Sequence, residues 1–210
     1  LLFNSIGVMA SVIAFNAPLH TDRISANSFG AAALIWSMGS FFSTWNSFFE
    51  LQIPAAISDI CYAIFYPLVF IAITRSFTQK RSMSALEVLD TVIIAVGLTS
   101  VLTAFVLKPA MVGLDGSAWQ VFISILYPVG DIVLLSMVLV YLLLNPLSRR
   151  SIFLGLGLLS FATSDLFFIW GSLSATYEFG AITDDGWIIG LVLLSTSLLF
   201  SSPENKTSEK

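Results

Sequence analysis

Long apolar stretches alternate with short polar segments along almost the whole chain. A helix needs about 20 apolar residues to cross the hydrocarbon core of a bilayer, and each stretch is close to that length. The short connections place consecutive helices side by side and antiparallel. The pattern predicts an all-α integral membrane protein, with a bundle of seven transmembrane helices in residues 1–202 and a polar cytoplasmic tail at 203–210. The predicted helices span residues 1–17, 27–49, 54–76, 85–107, 118–144, 151–172 and 186–202.

The composition favours lipid rather than water as the solvent of this chain. Of its 210 residues 57% are hydrophobic and only 10% are charged, and the mean hydropathy is +0.91. A soluble domain carries about 25% charged residues. A water-soluble enzyme is therefore excluded, and the lipid bilayer is the predicted partner. Because the net charge is −4, no nucleic-acid partner is expected.

Residues that usually hold metals and cofactors are scarce. Cys61 is the only cysteine and His20 the only histidine. Sites that need clustered cysteine or histidine ligands are therefore not expected, and the sequence predicts no metal and no cofactor.

Basic residues near helix ends are retained on the cytoplasmic side of a membrane, and here most of them fall on one side of the predicted bundle. Of the nine lysines and arginines, only Lys108 lies on the opposite side. This distribution predicts an N-terminus outside and a C-terminus in the cytoplasm. The other basic residues lie in the first, third and fifth connections and in the tail: Arg23, Arg75, Lys80, Arg81, Arg149, Arg150, Lys206 and Lys210.

Four aspartates fall inside the predicted helices, where each costs about 2.5 to 3.5 kcal/mol at the bilayer centre unless it is paired, protonated or turned inward. One of them, Asp90, lies near the cytoplasmic end of its helix, one turn after Glu87 and close to the basic third connection. We predict a structural salt-bridge cluster there that fixes the third and fourth helices. Its members are Arg75, Lys80, Arg81, Glu87 and Asp90.

The other three aspartates predict a polar pocket in the outer half of the bundle. Asp59 and Asp165 each follow a serine and lie at similar depth, while Asp131 lies near the middle of its helix. Pro67 and Pro128 lie inside helices, and a proline that bends a membrane helix exposes a carbonyl toward the bend. An alternative of equal weight is that the aspartates only join helices through hydrogen bonds, each worth about 0.6 kcal/mol. The candidate ligand or proton pocket comprises Asp59, Tyr62, Tyr66, Tyr127, Asp131, Asp165 and Trp170.

Four ordered segments between about residues 30 and 203 combine intramembrane aspartates with aromatic and small residues. They are Ser58-Asp59-Ile60-Cys61-Tyr62 with Tyr66-Pro67 after it; Leu89-Asp90-Thr91-Val92-Ile93-Ile94; Tyr127-Pro128-Val129-Gly130-Asp131-Ile132-Val133-Leu134-Leu135; and Ser164-Asp165 followed by Tyr177-Glu178-Phe179-Gly180 and Asp185-Gly186-Trp187-Ile188-Ile189-Gly190. In order and spacing they resemble the membrane-embedded N-terminal region of bacterial cyclic-di-GMP signalling proteins that carry GGDEF and EAL domains. The resemblance implies a sensor or anchor in the bacterial cytoplasmic (inner) membrane that passes a signal to cytoplasmic catalytic domains.

The chain departs from that family in carrying no GGDEF or EAL domain, and it starts at Leu1 inside an apolar stretch, so we expect residues upstream. The favoured interpretation is a non-enzymatic multi-pass sensory or anchoring module whose partner is a cytoplasmic output domain or another membrane subunit. Two alternatives stay open. One is a structural accessory subunit of a larger membrane protein complex. The other, less favoured, is a membrane lipid hydrolase resembling lysoplasmalogenase, because intramembrane aspartates beside serine and tyrosine can activate water.

Overall fold

Each of the seven apolar stretches contains one α-helix in the computed structural model, and no strand occurs in the part of the chain that it describes. The described residues are 2–18, 21–49, 53–78, 85–104, 117–144, 147–173, 176–178 and 180–200. The prediction of an all-helical chain is confirmed for these residues. The helices are α1 (Leu2–Phe15), α2 (Arg23–Phe48), α3 (Ala55–Thr78), α4 (Ala85–Leu102), α5 (Ala118–Leu144), α6 (Arg149–Leu173) and α7 (Asp185–Leu199), with a 3-10 turn at Ile182–Asp184 before α7.

Four segments of these helices are long and apolar enough to cross a membrane: Ala55–Arg75, Ala118–Leu143, Arg149–Ser172 and Ile182–Leu199. Helix α1 is apolar but has 14 residues, about 21 Å of helix against a hydrocarbon core of about 30 Å. Helix α2 is longer, but serine and asparagine occur along its whole length. The chain therefore fits a multi-pass membrane protein, and seven crossings stay a prediction.

Six of the helices close into a ring, and α4 lies outside it. Neighbouring pairs follow the order α1, α2, α3, α5, α6, α7 and back to α1, while α4 packs against α5. The centre of the ring is filled by buried aromatic and aliphatic side chains such as Trp36, Phe65, Phe161 and Leu191. Because α3 and α5 touch directly, α4 is bypassed by the ring that surrounds this core.

Small residues allow the closest helix approaches. An added Cβ at Gly157 on α6 would lie 3.1 Å from the carbonyl oxygen of Gly190 on α7, and one at Gly190 would lie 2.9 Å from the carbonyl oxygen of Gly157. Any side chain at either position would push the two backbones apart. Helices α6 and α7 therefore form one tightly joined pair, as is common for small residues at membrane helix interfaces.

The helix ends form a basic and an acidic end of the bundle. At the basic end, the Thr21 hydroxyl donates to the Leu198 carbonyl at 3.3 Å, and Arg75 pairs with Asp22 at 3.2 Å. The first connection therefore meets the C-terminal ends of α3 and α7, as the predicted alternation of helix directions requires. The acidic end carries Glu178 and the Asp184-Asp185 pair. Which end faces the cytoplasm stays a prediction.

The predicted salt-bridge cluster between α3 and α4 stays a prediction, but the structure shows a partner outside that cluster for Arg75. Its guanidinium pairs with Asp22, which also caps α2 by accepting the Ser25 backbone N–H at 3.0 Å. Asp90 is exposed. The ring explains the difference, because α3 lies beside α2 and α5 whereas α4 is bypassed. Lys80, Arg81 and the side chain of Glu87 lie outside the described residues.

Candidate ligand cavity

A cavity of about 390 Å³ lies inside the ring and reaches its acidic end, where Asn46, Ala55 and Tyr177 border it. Tyr66, at its deeper part, lies 11 residues beyond Ala55 on α3, which corresponds to about 16 Å. This volume is within the range of about 300 to 1,000 Å³ that is usual for small-molecule sites. Its polar lining consists of Ser40, Ser43, Asn46, Ser47, Ser58, Asp59, Asp165 and Asp184, and its aromatic lining of Phe3, Trp36, Tyr62, Phe65, Tyr66, Tyr127, Phe161, Phe168, Tyr177 and Trp187.

Asp165 is the most strongly held carboxylate of the cavity. One oxygen accepts the Tyr66 hydroxyl at 2.7 Å, and the other accepts the Trp187 indole N–H at 2.6 Å. These bonds join α3, α6 and α7 at one point. The Asp131 carboxyl is a further hydrogen-bond partner of Asp165, so this carboxyl group is the centre of a polar cluster.

Asp131 lies behind this point rather than on the cavity wall. It is buried, with 7% of its surface exposed, and its carboxyl group lies beside the Asp165 carboxyl group and the Tyr66 hydroxyl. The preceding residue, Gly130, makes this possible, because a Cβ there would overlap the Tyr66 ring. Asp131 therefore belongs to the polar cluster under the cavity floor.

Asp59 lies nearer the acidic end and links α3 to α5. Its carboxylate accepts the indole N–H of Trp119 at 3.2 Å. Further down α3, Tyr66 stacks on Tyr127 of α5 with ring centroids 6.1 Å apart, and Tyr62 meets the same ring edge-on at 6.5 Å. The tyrosines thus form the wall between α3 and α5.

Trp36 is the centre of an aromatic box on the opposite side. Its ring lies 6.1 Å from Tyr62, 6.1 Å from Phe161 and 6.3 Å from Trp187, all measured between centroids and all tilted or edge-on. Tilted and edge-on contacts at these distances are ordinary aromatic packing, and the same four rings line the cavity.

The connection between α6 and α7 covers one side of the cavity. Asp184 accepts the Tyr177 hydroxyl at 3.0 Å and the Gly180 backbone N–H at 2.9 Å, and the Ser164 hydroxyl donates to the Thr183 carbonyl at 2.6 Å. Burial and the nearby Asp184 carboxylate raise the pKa of Tyr177. The phenol therefore stays protonated at physiological pH and keeps donating to Asp184.

Two hydroxyl groups on the wall have no hydrogen-bond partner among the described residues. They belong to Ser58 and Tyr127, and both oxygens are buried. Ser58 as a residue is 6% exposed. Burying a hydroxyl without a partner costs about 1 to 3 kcal/mol, so groups of this kind mark places where a water or a ligand supplies the missing bond.

The structure brings most of the predicted pocket residues together. Asp59, Tyr62, Tyr66, Tyr127 and Asp165 line the cavity, and Asp131 lies directly behind it. Trp170 does not reach the cavity, because it is 68% exposed on the outer face of α6. Helices α3 and α5 run without interruption through Pro67 and Pro128, and neither proline lines the cavity.

Sequence reasoning missed Trp36, Phe161, Trp187 and the connection that carries Tyr177 and Asp184. For α2 a signal exists: Trp36, Ser40, Ser43 and Ser47 recur at helical spacing and share one face. No comparable signal relates Trp187 to Asp165, since the two residues lie on different helices whose relative height the sequence does not define.

Comparison with known proteins gives no match: no family model, no curated protein and no solved structure matches the chain. The resemblance to cyclic-di-GMP signalling proteins therefore stays a prediction. A functional interpretation must start from the cavity itself.

Proposed function

We propose that the protein is a non-enzymatic multi-pass membrane sensory module whose cavity binds a small molecule and thereby changes helix packing at the basic end. The observation that carries the proposal is a cavity of about 390 Å³ whose wall includes the buried Ser58 hydroxyl, which has no hydrogen-bond partner among the described residues. A cavity that served only to join helices would have its polar groups satisfied across the helix interfaces.

The arrangement of helices supplies a route for the signal. The walls belong to α1, α2, α3, α5, α6 and α7, and three of these, α2, α3 and α7, also meet at the basic end through the contacts of Asp22 and Thr21. A ligand shifts such a bundle only if it binds two packings with different affinity. In the proposal the bundle lies in a bacterial inner membrane with its basic end cytoplasmic, next to an output domain or a partner subunit.

Native mass spectrometry of the protein released from its own membranes tests the binding step. The expected result is a small-molecule adduct on the wild type that is lost in Ser58→Trp, which fills the cavity. Ser172→Trp is the matched control, because Ser172 is exposed on the outside of α6 and should keep the adduct. Absence of any adduct from the wild type would contradict binding.

Spin-label distances test the packing step. Ile24 and Ile152 are exposed near the basic ends of α2 and α6, and cysteines there can be labelled in a Cys61→Ala background. We expect the distance distribution to differ between protein with and without its adduct. If the distribution is unchanged while the adduct is present, the sensory role is wrong and the accessory-subunit hypothesis gains support.

A further inference from the structure

We infer that the cavity binds an organic cation, a small molecule with an ammonium group on an apolar body. The inference rests on the proposed function and names the ligand class for the same site. It depends on three observations that are independent of one another: the charge of the lining, the arrangement of the aromatic rings and the unpartnered hydroxyls.

The charge of the lining is one-sided. Asp59, Asp165 and Asp184 border the cavity, and none of the described residues that line it is a lysine, arginine or histidine. An anionic ligand would find no cationic side chain in this lining to offset the loss of its hydration, and it would lie close to carboxyl groups. A ligand ammonium supplies the positive charge that this lining lacks.

The aromatic rings provide a second source of attraction. Trp36, Tyr62, Phe161 and Trp187 surround the central space at centroid distances of 6.1 to 6.3 Å from Trp36. The face of an aromatic ring attracts a cation within about 6 Å, most strongly for tryptophan and most of all in a desolvated site. Asp165, held in place by Tyr66 and Trp187, contributes a carboxyl group to this box.

The third observation is polar and concerns two residues on the wall of the same cavity. The Ser58 hydroxyl is unpartnered on a residue that is 6% exposed, and the Tyr127 hydroxyl is unpartnered on the facing helix. Both can bond a hydroxyl, amide or N–H on the ligand. An amine that carries one further polar group therefore satisfies the carboxylate, the rings and the hydroxyls together.

The test measures equilibrium binding of radiolabelled choline and benzyltrimethylammonium to the purified chain in nanodiscs of phosphatidylglycerol. Competitors are dimethylbutanol, in which carbon replaces the ammonium nitrogen of choline, and dimethylbutanoate, its anionic counterpart. We expect each cation to bind at least about tenfold more tightly than the neutral isostere, as a desolvated cation–π and carboxylate site implies. The anion should not compete.

Two variants with matched controls locate the binding. Asp165→Asn should weaken choline binding at least about tenfold, whereas Asp90→Asn, the same charge change at an exposed position of α4, should not. Trp36→Leu should weaken it and Trp170→Leu should not, because Trp170 is exposed outside the cavity. If Asp165→Asn does not fold, Asp59→Asn at the rim of the cavity replaces it in the binding measurement. The competition experiment on the wild type needs no variant.

The outcomes separate this inference from the proposed function. If dimethylbutanol binds as tightly as choline, the cation class is wrong while the cavity still binds a ligand. If neither cation binds more tightly than its isostere and native mass spectrometry also finds no adduct, both proposals fail. If phosphatidylethanolamine in the nanodisc competes with choline, the ammonium group of the ligand belongs to a lipid headgroup. If this lipid leaves choline binding unchanged, the ligand is a free amine.

Discussion

The two halves of the same ring of helices have opposite interiors. The acidic half holds a cavity of about 390 Å³, whereas a cavity near the basic end measures only about 20 Å³. A site needs about 10 to 15 Å³ to hold one water, so the basic half is close to solid.

Side-chain shape explains the difference. The basic half is filled by branched aliphatic residues, among them Val69, Ile73, Leu194 and Leu198, each at most 4% exposed. The acidic half instead carries large aromatic rings and short serines around its cavity. The comparison teaches that one set of helices can carry a rigid frame at one end and a binding space at the other.

The largest expected effect on stability comes from a substitution in the filled basic half of the ring. Leu194→Ala should lower the free energy of unfolding by about 2 to 5 kcal/mol, because it leaves a void in the filled half that the neighbours cannot close. Unfolding in mixed micelles measures the change. Val192→Ala is the control, since Val192 is 44% exposed on the same helix. An equal loss of unfolding free energy in Leu194→Ala and Val192→Ala would contradict the conclusion that the basic half of the ring is the more tightly filled.

A smaller effect is expected under the cavity. Tyr66→Phe removes the donor at 2.7 Å from Asp165 and should destabilise the protein by about 1 to 3 kcal/mol. A double-mutant cycle with Asp165→Asn isolates the bond from the lost packing. A coupling energy near zero would show that this hydrogen bond does not hold α3 to α6, and would leave the cavity half without its main polar contact.

The smallest effect concerns the ion pair at the basic end. A double-mutant cycle of Arg75→Gln and Asp22→Asn should give a coupling of about 0.2 to 1 kcal/mol that falls with added salt, because the Arg75 side chain is 40% exposed. The parallel cycle with Asp90→Asn should give no coupling. Coupling between Arg75 and Asp90, without coupling between Arg75 and Asp22, would support the salt-bridge cluster predicted between α3 and α4.

The helices could be predicted from sequence because each apolar stretch ends at a clear polar boundary. Helix α2 begins at Arg23, four residues before the predicted start at 27, because Asp22 caps it there. In the sequence, the polar residues after Asp22 resemble part of the connection, which explains the later predicted start. The ring, by contrast, could not be predicted. Short connections predict that neighbours in sequence pack side by side, but α3 packs against α2 and α5 and not closely against α4.

The candidate site shows the same division between local and long-range information. Asp59, Tyr62 and Tyr66 follow helical spacing and indeed share the cavity wall. On α6, Trp170 lies five residues after Asp165, about 140° round the helix, whereas Phe161 lies four residues before it, about 40° round. Helical geometry alone therefore favours Phe161 over Trp170.

Closure of the ring has a consequence for biosynthesis. Helix α7 is the last of the ring to leave the ribosome, yet it completes the contact with α1 and brings Trp187 to Asp165. Until α7 has inserted, one oxygen of that carboxylate lacks its indole donor and the aromatic box lacks a side. The cavity is thus enclosed only after α7 has inserted, and a chain that ends before α7 would leave the ring open on that side.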